Sequence, residues 1–162
     1  MRRQAGITLV ELLVTLAVIG IMVGVVFPGF RGLMDRNSLA TTANAMVLAV
    51  SYARSEALRG GGFVCVRHRG TWGQGWQVVN SCGVAGSEVV VRVFEPIPDA
   101  LTLTASGSIT ELRFNNQGLL QDGSPRNFTL CLPGDSGVRI NVAATGRPNT
   151  DGLDAAACPG GS

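Results

Sequence analysis

The sequence predicts an α+β fold: a long N-terminal α-helix followed by a mostly antiparallel β domain. Three observations predict it. An almost unbroken apolar run, "ITLVELLVTLAVIGIMVGVVFPGF", fills residues 7–30. A helical repeat of apolar residues then carries the pattern to residue 59. After "RGGG" at 59–62 the chain breaks into short segments rich in Val, Ile, Phe and Thr, separated by turn residues.

The apolar run comes first. Glu11 is the only charged residue between positions 7 and 30. About 20 apolar residues match the hydrocarbon core of a bilayer, so 7–30 is expected to be a transmembrane segment. A carboxylate at the centre of such a helix costs about 2.5 to 3.5 kcal/mol on insertion scales, less near an end. Glu11 is therefore a functional candidate that needs a partner. Ahead of the run, "MRRQAG" is a short basic leader whose Arg2 and Arg3 should stay cytoplasmic. An ordinary secretory signal has a shorter apolar region and a small-residue cleavage site after it. Here "VVFPGF" follows the run, and the small residue, Gly6, precedes it. Cleavage after Gly6 would remove residues 1–6, keep the helix, and leave a new amine on Ile7, one helical turn from Glu11.

The helix should continue as an amphipathic half over 31–60. Leu39, Ala43, Met46, Val50, Ala53 and Ala57 recur at alternating steps of four and three, which marks one buried face. Gly readily takes the left-handed cap conformation, so "RGGG" should end it. From Ile7 to Arg59 the helix would extend about 80 Å at 1.5 Å per residue.

Residues 61–162 form the expected β domain. Candidate strands are 63–69, 75–80, 88–94, 109–115, 127–132 and 137–143. "TWGQGW" at 71–76 reads as a hairpin tip with Trp72 and Trp76 as a cross-strand pair.

The basic leader, Gly6, the apolar helix with Glu11, and Pro28 at their spacings resemble the class III signal and N-terminal helix of type IV pilins and type II secretion pseudopilins. That resemblance implies that a prepilin peptidase cleaves after Gly6 and N-methylates Ile7. It implies that Glu11 meets the N-terminal amine of a neighbouring subunit on assembly, and that Pro28 is the helix-loosening proline. Paired with an ammonium, the carboxylate becomes much less unfavourable and sets axial register between subunits. Further along, "YARSEALRGG" (52–61), the W-x-x-G-W element (72–76), "LRFNNQG" (112–118), "TLCL" (129–132) and "TGR" (145–147) are similar to the GspH/FimT family of minor pilins and pseudopilins. The resemblance implies a type IV pilin-like fold with the transmembrane half of the helix first. It also implies a single-pass inner-membrane subunit with a periplasmic C-terminal domain, which later enters a filament with other major and minor pilins or pseudopilins. The function implied is that of a structural minor pilin of a type IV pilus, priming assembly near the tip in pilus biogenesis and twitching motility. The alternatives are an H-type pseudopilin of type II secretion and a DNA-binding minor pilin for natural transformation.

Cys65, Cys82, Cys131 and Cys158 all follow the membrane segment. An even count in a translocated domain favours disulfides. Three pairings are possible; Cys65–Cys82 with Cys131–Cys158 is preferred because each closes a local region, the second stapling the Gly-rich tail. Zinc is the rival, disfavoured by one His and the lack of C-x-x-C spacing. "GDSG" at 134–137 brings to mind a serine-protease nucleophile loop, with His68, Asp99 and Ser136 in order, yet the domain is too small for two barrels. Turn chemistry explains Pro133, Gly134, Asp135 and Gly137 without catalysis. His68 is expected at a surface or edge. The chain is therefore not expected to be an enzyme or to hold a cofactor or metal.

All 13 basic residues are Arg, against 11 acidic ones. From Arg36 onward there are 10 Arg and 9 acids, a net charge of 10 − 9 = +1, which makes no strong field for nucleic acid. Some FimT-like minor pilins are associated with DNA uptake through a G-R-x-R motif. The matching positions here read Gly146, Arg147, Pro148, Asn149, with the second Arg replaced. Arg147 is thus the candidate DNA contact, and Arg67, Arg69, Arg126 and Arg139 would strengthen it if the fold gathered them.

Overall fold

The structure, a computed structural model, describes residues 8–158 and, within the first helix, the backbone alone at residues 23 and 25–31. Gly6 and Ile7 lie outside the described residues. The chain divides into two compact units, Met1–Asp35 and Arg36–Ser162.

Helix α1 (Leu9–Gly60) runs through both. In the first unit, the Thr8 hydroxyl accepts the Glu11 backbone N–H at 3.3 Å. The Thr8-x-x-Glu11 spacing is that of a capping box, and an acid in the first turn also suits the positive end of the helix dipole. Leu9, Val10, Leu12, Leu13, Val14, Leu16, Val18, Ile19, Ile21 and Met22 are all exposed, so this segment is apolar all round. Among the described residues no helix is long and apolar enough to cross a membrane. The expected span, 7–30, includes Ile7 and the side chains at 23 and 25–30, which lie outside the described residues. Pro28 falls within α1, with its side chain likewise outside them.

In the second unit the helix buries the stripe that the sequence spacing marks. Leu39, Ala43, Met46, Val50, Ala53 and Ala57 are buried, and Ala49 joins them. Gly61, at φ +67°, follows the last helical residue in the left-handed conformation that terminates helices.

Among the described residues the β domain has eight strands in two antiparallel sheets. The first, in order β3-β2-β1-β5, comprises β3 (Val89–Phe94), β2 (Thr71–Asn80), β1 (Val64–Arg69) and β5 (Glu111–Phe114). The second, β4-β6-β7-β8, comprises β4 (Thr102–Ala105), β6 (Arg126–Leu132), β7 (Ser136–Val142) and β8 (Pro148–Leu153). Val64, Val66, Trp76 and Phe114 from the first sheet share one core with Phe128, Leu130 and Ile140 from the second and with the buried stripe of α1. The alternation of strand side chains leaves Cys65 on the other face of β1, where it forms a small separate cluster with Val79 and Cys82.

Two expectations are corrected. "TWGQGW" lies at the closed end of the β1–β2 hairpin, where the register passes from His68 opposite Trp76 to Arg69 opposite Thr71 and skips 72–75, but both Trp residues belong to β2 and do not face each other across strands. Trp72 packs edge-on to Phe128 and donates to the Ile109 carbonyl at 2.8 Å. Trp76 stacks on Phe94 of the neighbouring β3, so the cross-strand aromatic partner is Phe94. His68 is half-buried on an inner strand, not at a sheet edge, and lies edge-on to Trp72 with Nδ1 buried and unpartnered among the described residues.

The sequence reading also left out β4 and β8. β4 is four residues long and, among the described residues, pairs with β6 alone. β8 reads "PNTDGL", poor strand residues that an edge strand tolerates because proline occupies its first position.

Candidate functional site

Glu11 is the described member of the expected assembly set. It occupies the first turn of an exposed apolar helix, and its backbone N–H is held by Thr8.

The cysteines pair as Cys65–Cys82 and Cys131–Cys158, with Cα separations of 6.0 and 5.5 Å. The first joins β1 to the turn after β2, closing 17 residues. The second joins β6 to the chain beyond the 3-10 turn Ala155–Ala157, closing 27. Loops of this length constrain the unfolded chain by about 3 kcal/mol each on the chain-entropy account. Gly137, opposite Cys131, leaves the room the second bridge needs, because a Cβ there would collide with the Cys158 sulfur.

Beside the first bridge lies an ion-pair network. Arg67 meets Glu88 at 3.0 Å and Glu111 at 3.2 Å, and Arg113 meets Glu111 at 2.8 Å. The Arg67 guanidinium, helped by the Gly83 N–H, holds the Glu88 carboxyl below its ordinary value of about 4.5. A lowered folded-state pKa means this contribution is present above that value and lost as pH falls through the lowered one. Thermal unfolding of wild type and Glu88→Gln should therefore show a small advantage for wild type at pH 7 that disappears on acidification below about 4.5. An advantage that grows in acid would refute the pairing.

Arg147 is exposed on the connection between β7 and β8. It borders an open depression of about 560 Å³ with Pro125, Asn141, Thr145 and Asn149. Of the other candidate arginines, Arg67 is paired with Glu88 and Glu111 and Arg126 with Asp122. Arg69 and Arg139 are exposed and, among the described residues, have no ion pair, but none of the four borders the depression beside Arg147. The "GDSG" turn has a structural role as well: Asp135 accepts two hydrogen bonds from Arg36, at 2.9 and 3.1 Å. His68 stands on β1 of one sheet and Ser136 on β7 of the other, and among the described residues no hydrogen bond joins them or Asp99.

A junction that the sequence reading did not identify is organised by Arg54. Its Nε–H donates to the Gly118 carbonyl at 3.1 Å and the Thr145 carbonyl at 3.2 Å. Asn115 shapes the first loop by accepting the Gln117 and Leu119 amides. The Leu120 amide donates to Ala144 at 2.9 Å, tying the two loops together. Gly146 is buried at φ +74°, where a Cβ would overlap the Gly118 carbonyl oxygen. Segments that look unrelated in sequence, "YARSEALRGG", "NNQG" and "TGR", thus meet at one place. The available signal was position: Arg54 follows buried Ala53, where a long side chain can reach over the edge of the core.

The protein-family model for the type II transport protein GspH matches residues 42–146. That for the prokaryotic N-terminal methylation motif matches residues 1–27. No curated protein matches the chain. Among solved structures, the type IV minor pilin FimU of Pseudomonas aeruginosa is similar over 74% of this chain and 92% of its own, at 24% identity and TM-score 0.63. A second crystal form gives 71% and 91%, 25% identity and TM-score 0.57. The minor pseudopilin EpsH from the Type 2 Secretion System of Vibrio cholerae is similar over 70% and 96%, at 12% identity and TM-score 0.56. The fold is shared with these solved structures, the N-terminal methylation motif stands at the start of this chain, and, with most of the β domain inside the family match, the chain is a pilin-like subunit that belongs to the GspH family.

Proposed function

We propose that the chain is a structural minor pilin of a type IV pilus, which is cleaved between Gly6 and Ile7 by prepilin peptidase, methylated on Ile7, and primes assembly near the tip. The observation that carries this reading is the first unit of α1. From Leu9 to Met22 it exposes apolar side chains on every side, and Glu11, in the first turn, is the one charged residue of that stretch. Such a surface calls for lipid before assembly and neighbouring helices after it. Anchored in the inner membrane, the subunit would hold its β domain in the periplasm and then pass with its helix into the filament among other pilins.

Two disulfides in one small domain favour a pilus, exposed outside the cell, over an H-type pseudopilus, which stays in the periplasm. A tagged full-length chain should appear in the sheared pilus fraction, and its deletion should reduce pili and twitching. Retention in the envelope together with a secretion defect would favour the pseudopilin instead.

DNA binding is the second reading, supported by Arg147, which is exposed and, among the described residues, has no carboxylate at ion-pair distance. It is tested with residues 36–162, a compact unit, in a salt series beside Arg147→Ala. Binding that falls with salt and weakens in the variant supports uptake. No binding at low salt leaves assembly as the function.

A further inference from the structure

The apolar side chains of β3 find little place in the core. Val89, Val90, Val91 and Val93 are 58, 50, 37 and 46% exposed. Among the described residues β3 pairs only with β2, in a ladder bulged at Val91, so its outer edge presents unpaired backbone donors and acceptors on both sides of that bulge. The other sheet edges are blunter: β4 and β5 have four residues each, and β8 carries Pro, Asn, Asp and Gly. On β3 the single charge is Arg92. Its guanidinium lies over the rings of Tyr52 and Phe94, at 5.7 and 5.2 Å, and among the described residues it has no carboxylate at ion-pair distance.

Helix α1 continues this surface. Ala45 borders a depression with Phe94 and Glu95, and Tyr52 lies under Arg92. Leu48, 45% exposed, falls between them on the same helical face. A strand laid along β3 would extend the sheet and cover Leu48 as well.

We propose that the open edge of β3 receives an extended strand from a neighbouring, different subunit of the filament, one that is rich in β-branched or aromatic residues and places a carboxylate against Arg92. Three arguments select this occupant. An unpaired β edge is satisfied by extended polypeptide, with backbone bonds giving affinity and side chains giving selectivity. A cation held between two ring faces and lacking an acid calls for one on the partner. The edge is also short. Six residues span about 20 Å at ~3.3 Å each, too little to bury the ~1,200 Å² that a stable free complex needs. The partner is therefore a subunit already brought alongside by other contacts, not a second copy meeting this one in solution. The proposal rests on the filament-subunit reading above.

The test places a photo-crosslinking phenylalanine derivative at position 91 or 93 of the full-length tagged chain in its host, with exposed Thr150 on β8 as the control position. Positions 91 and 93, but not 150, should give an adduct with another subunit that carries an N-terminal methylation motif. Val91→Lys with Val93→Lys should cut incorporation by roughly tenfold or more, the equivalent of one lost contact of moderate strength. Val91→Thr with Val93→Thr, which keeps strand-forming residues, should retain it. The melting temperature of residues 36–162 should be unchanged in both, since these side chains are exposed. The proposal is overturned by adducts to a second copy only, by equal adducts from position 150, or by full incorporation of the Lys variant. A wild-type chain present in filaments without β3 adducts refutes this inference alone. A wild-type chain absent from filaments refutes the reading beneath it too.

Discussion

Gly146→Ala is expected to destabilise the β domain by about 3 kcal/mol or more, lowering its melting temperature by on the order of 10 °C. Two separate costs add. The residue sits at φ +74°, where any L side chain costs roughly 1 to 2 kcal/mol. The new Cβ would also overlap the Gly118 carbonyl oxygen and stand 3.1 Å from both the Phe114 ring and the Arg54 side chain. The first obstacle is backbone, which cannot swing aside as a side-chain tip does. Because Arg54 binds the carbonyls on both sides of this approach, a shift of either loop would disturb its two hydrogen bonds. Arg54→Ala should cost less, about 1 to 2 kcal/mol, since the freed carbonyls can reach water. Calorimetry of residues 36–162 gives both values. A Gly146→Ala domain that melts with wild type would mean the close approach is absent, and with it the explanation of the "TGR" segment as structural.

Much of the fold was legible because its periodicities are strong. The stripe from Leu39 to Ala57 emerges buried, since a helix packed along one face must repeat apolar residues at 3.6. Six strands were visible in their Val, Ile, Phe and Thr content. β8 was hidden because its place depends on pairing with β7 and not on its own residues. The Trp pair was misread for a related reason. Two glycines in "TWGQGW" suggest a turn between two strands, yet residues 72–75 form an irregularity within β2, and Gly75, at φ +91°, serves close approach to the β3 backbone there. The division of the second sheet from the first was illegible too, since strand order is set by long-range pairing. At the candidate site, Glu11 stood out by its cost in an apolar run. Arg54 did not, because one arginine on a helix reads as a solvated charge until the loops it reaches are in place. Turn formers account for Pro133 to Asp135, while Ser136 and Gly137 open β7, and the structure adds the tie from Asp135 to Arg36.

Glu11→Leu is expected to leave membrane insertion intact or improved while reducing filament incorporation by at least about tenfold. Removing a charge from an apolar helix favours insertion. It also removes the carboxylate proposed to meet the Ile7 amine of a neighbouring subunit, and breaking a buried ion pair strands the partner charge. The structure supplies a competing explanation, because Glu11 also stands at the third position of the helix behind Thr8, where an acid or Gln completes a capping box. Glu11→Gln separates the two. Glutamine serves the helix start but carries no charge to pair with an ammonium. If register is set by the charge pair, Gln and Leu should both fail to enter filaments, and both should be found in the membrane at wild-type levels. If Gln assembles and Leu does not, Glu11 acts by shaping the start of α1. Should both assemble normally, neither role is needed, and the cost of an acid in this apolar segment would be left without a compensating function.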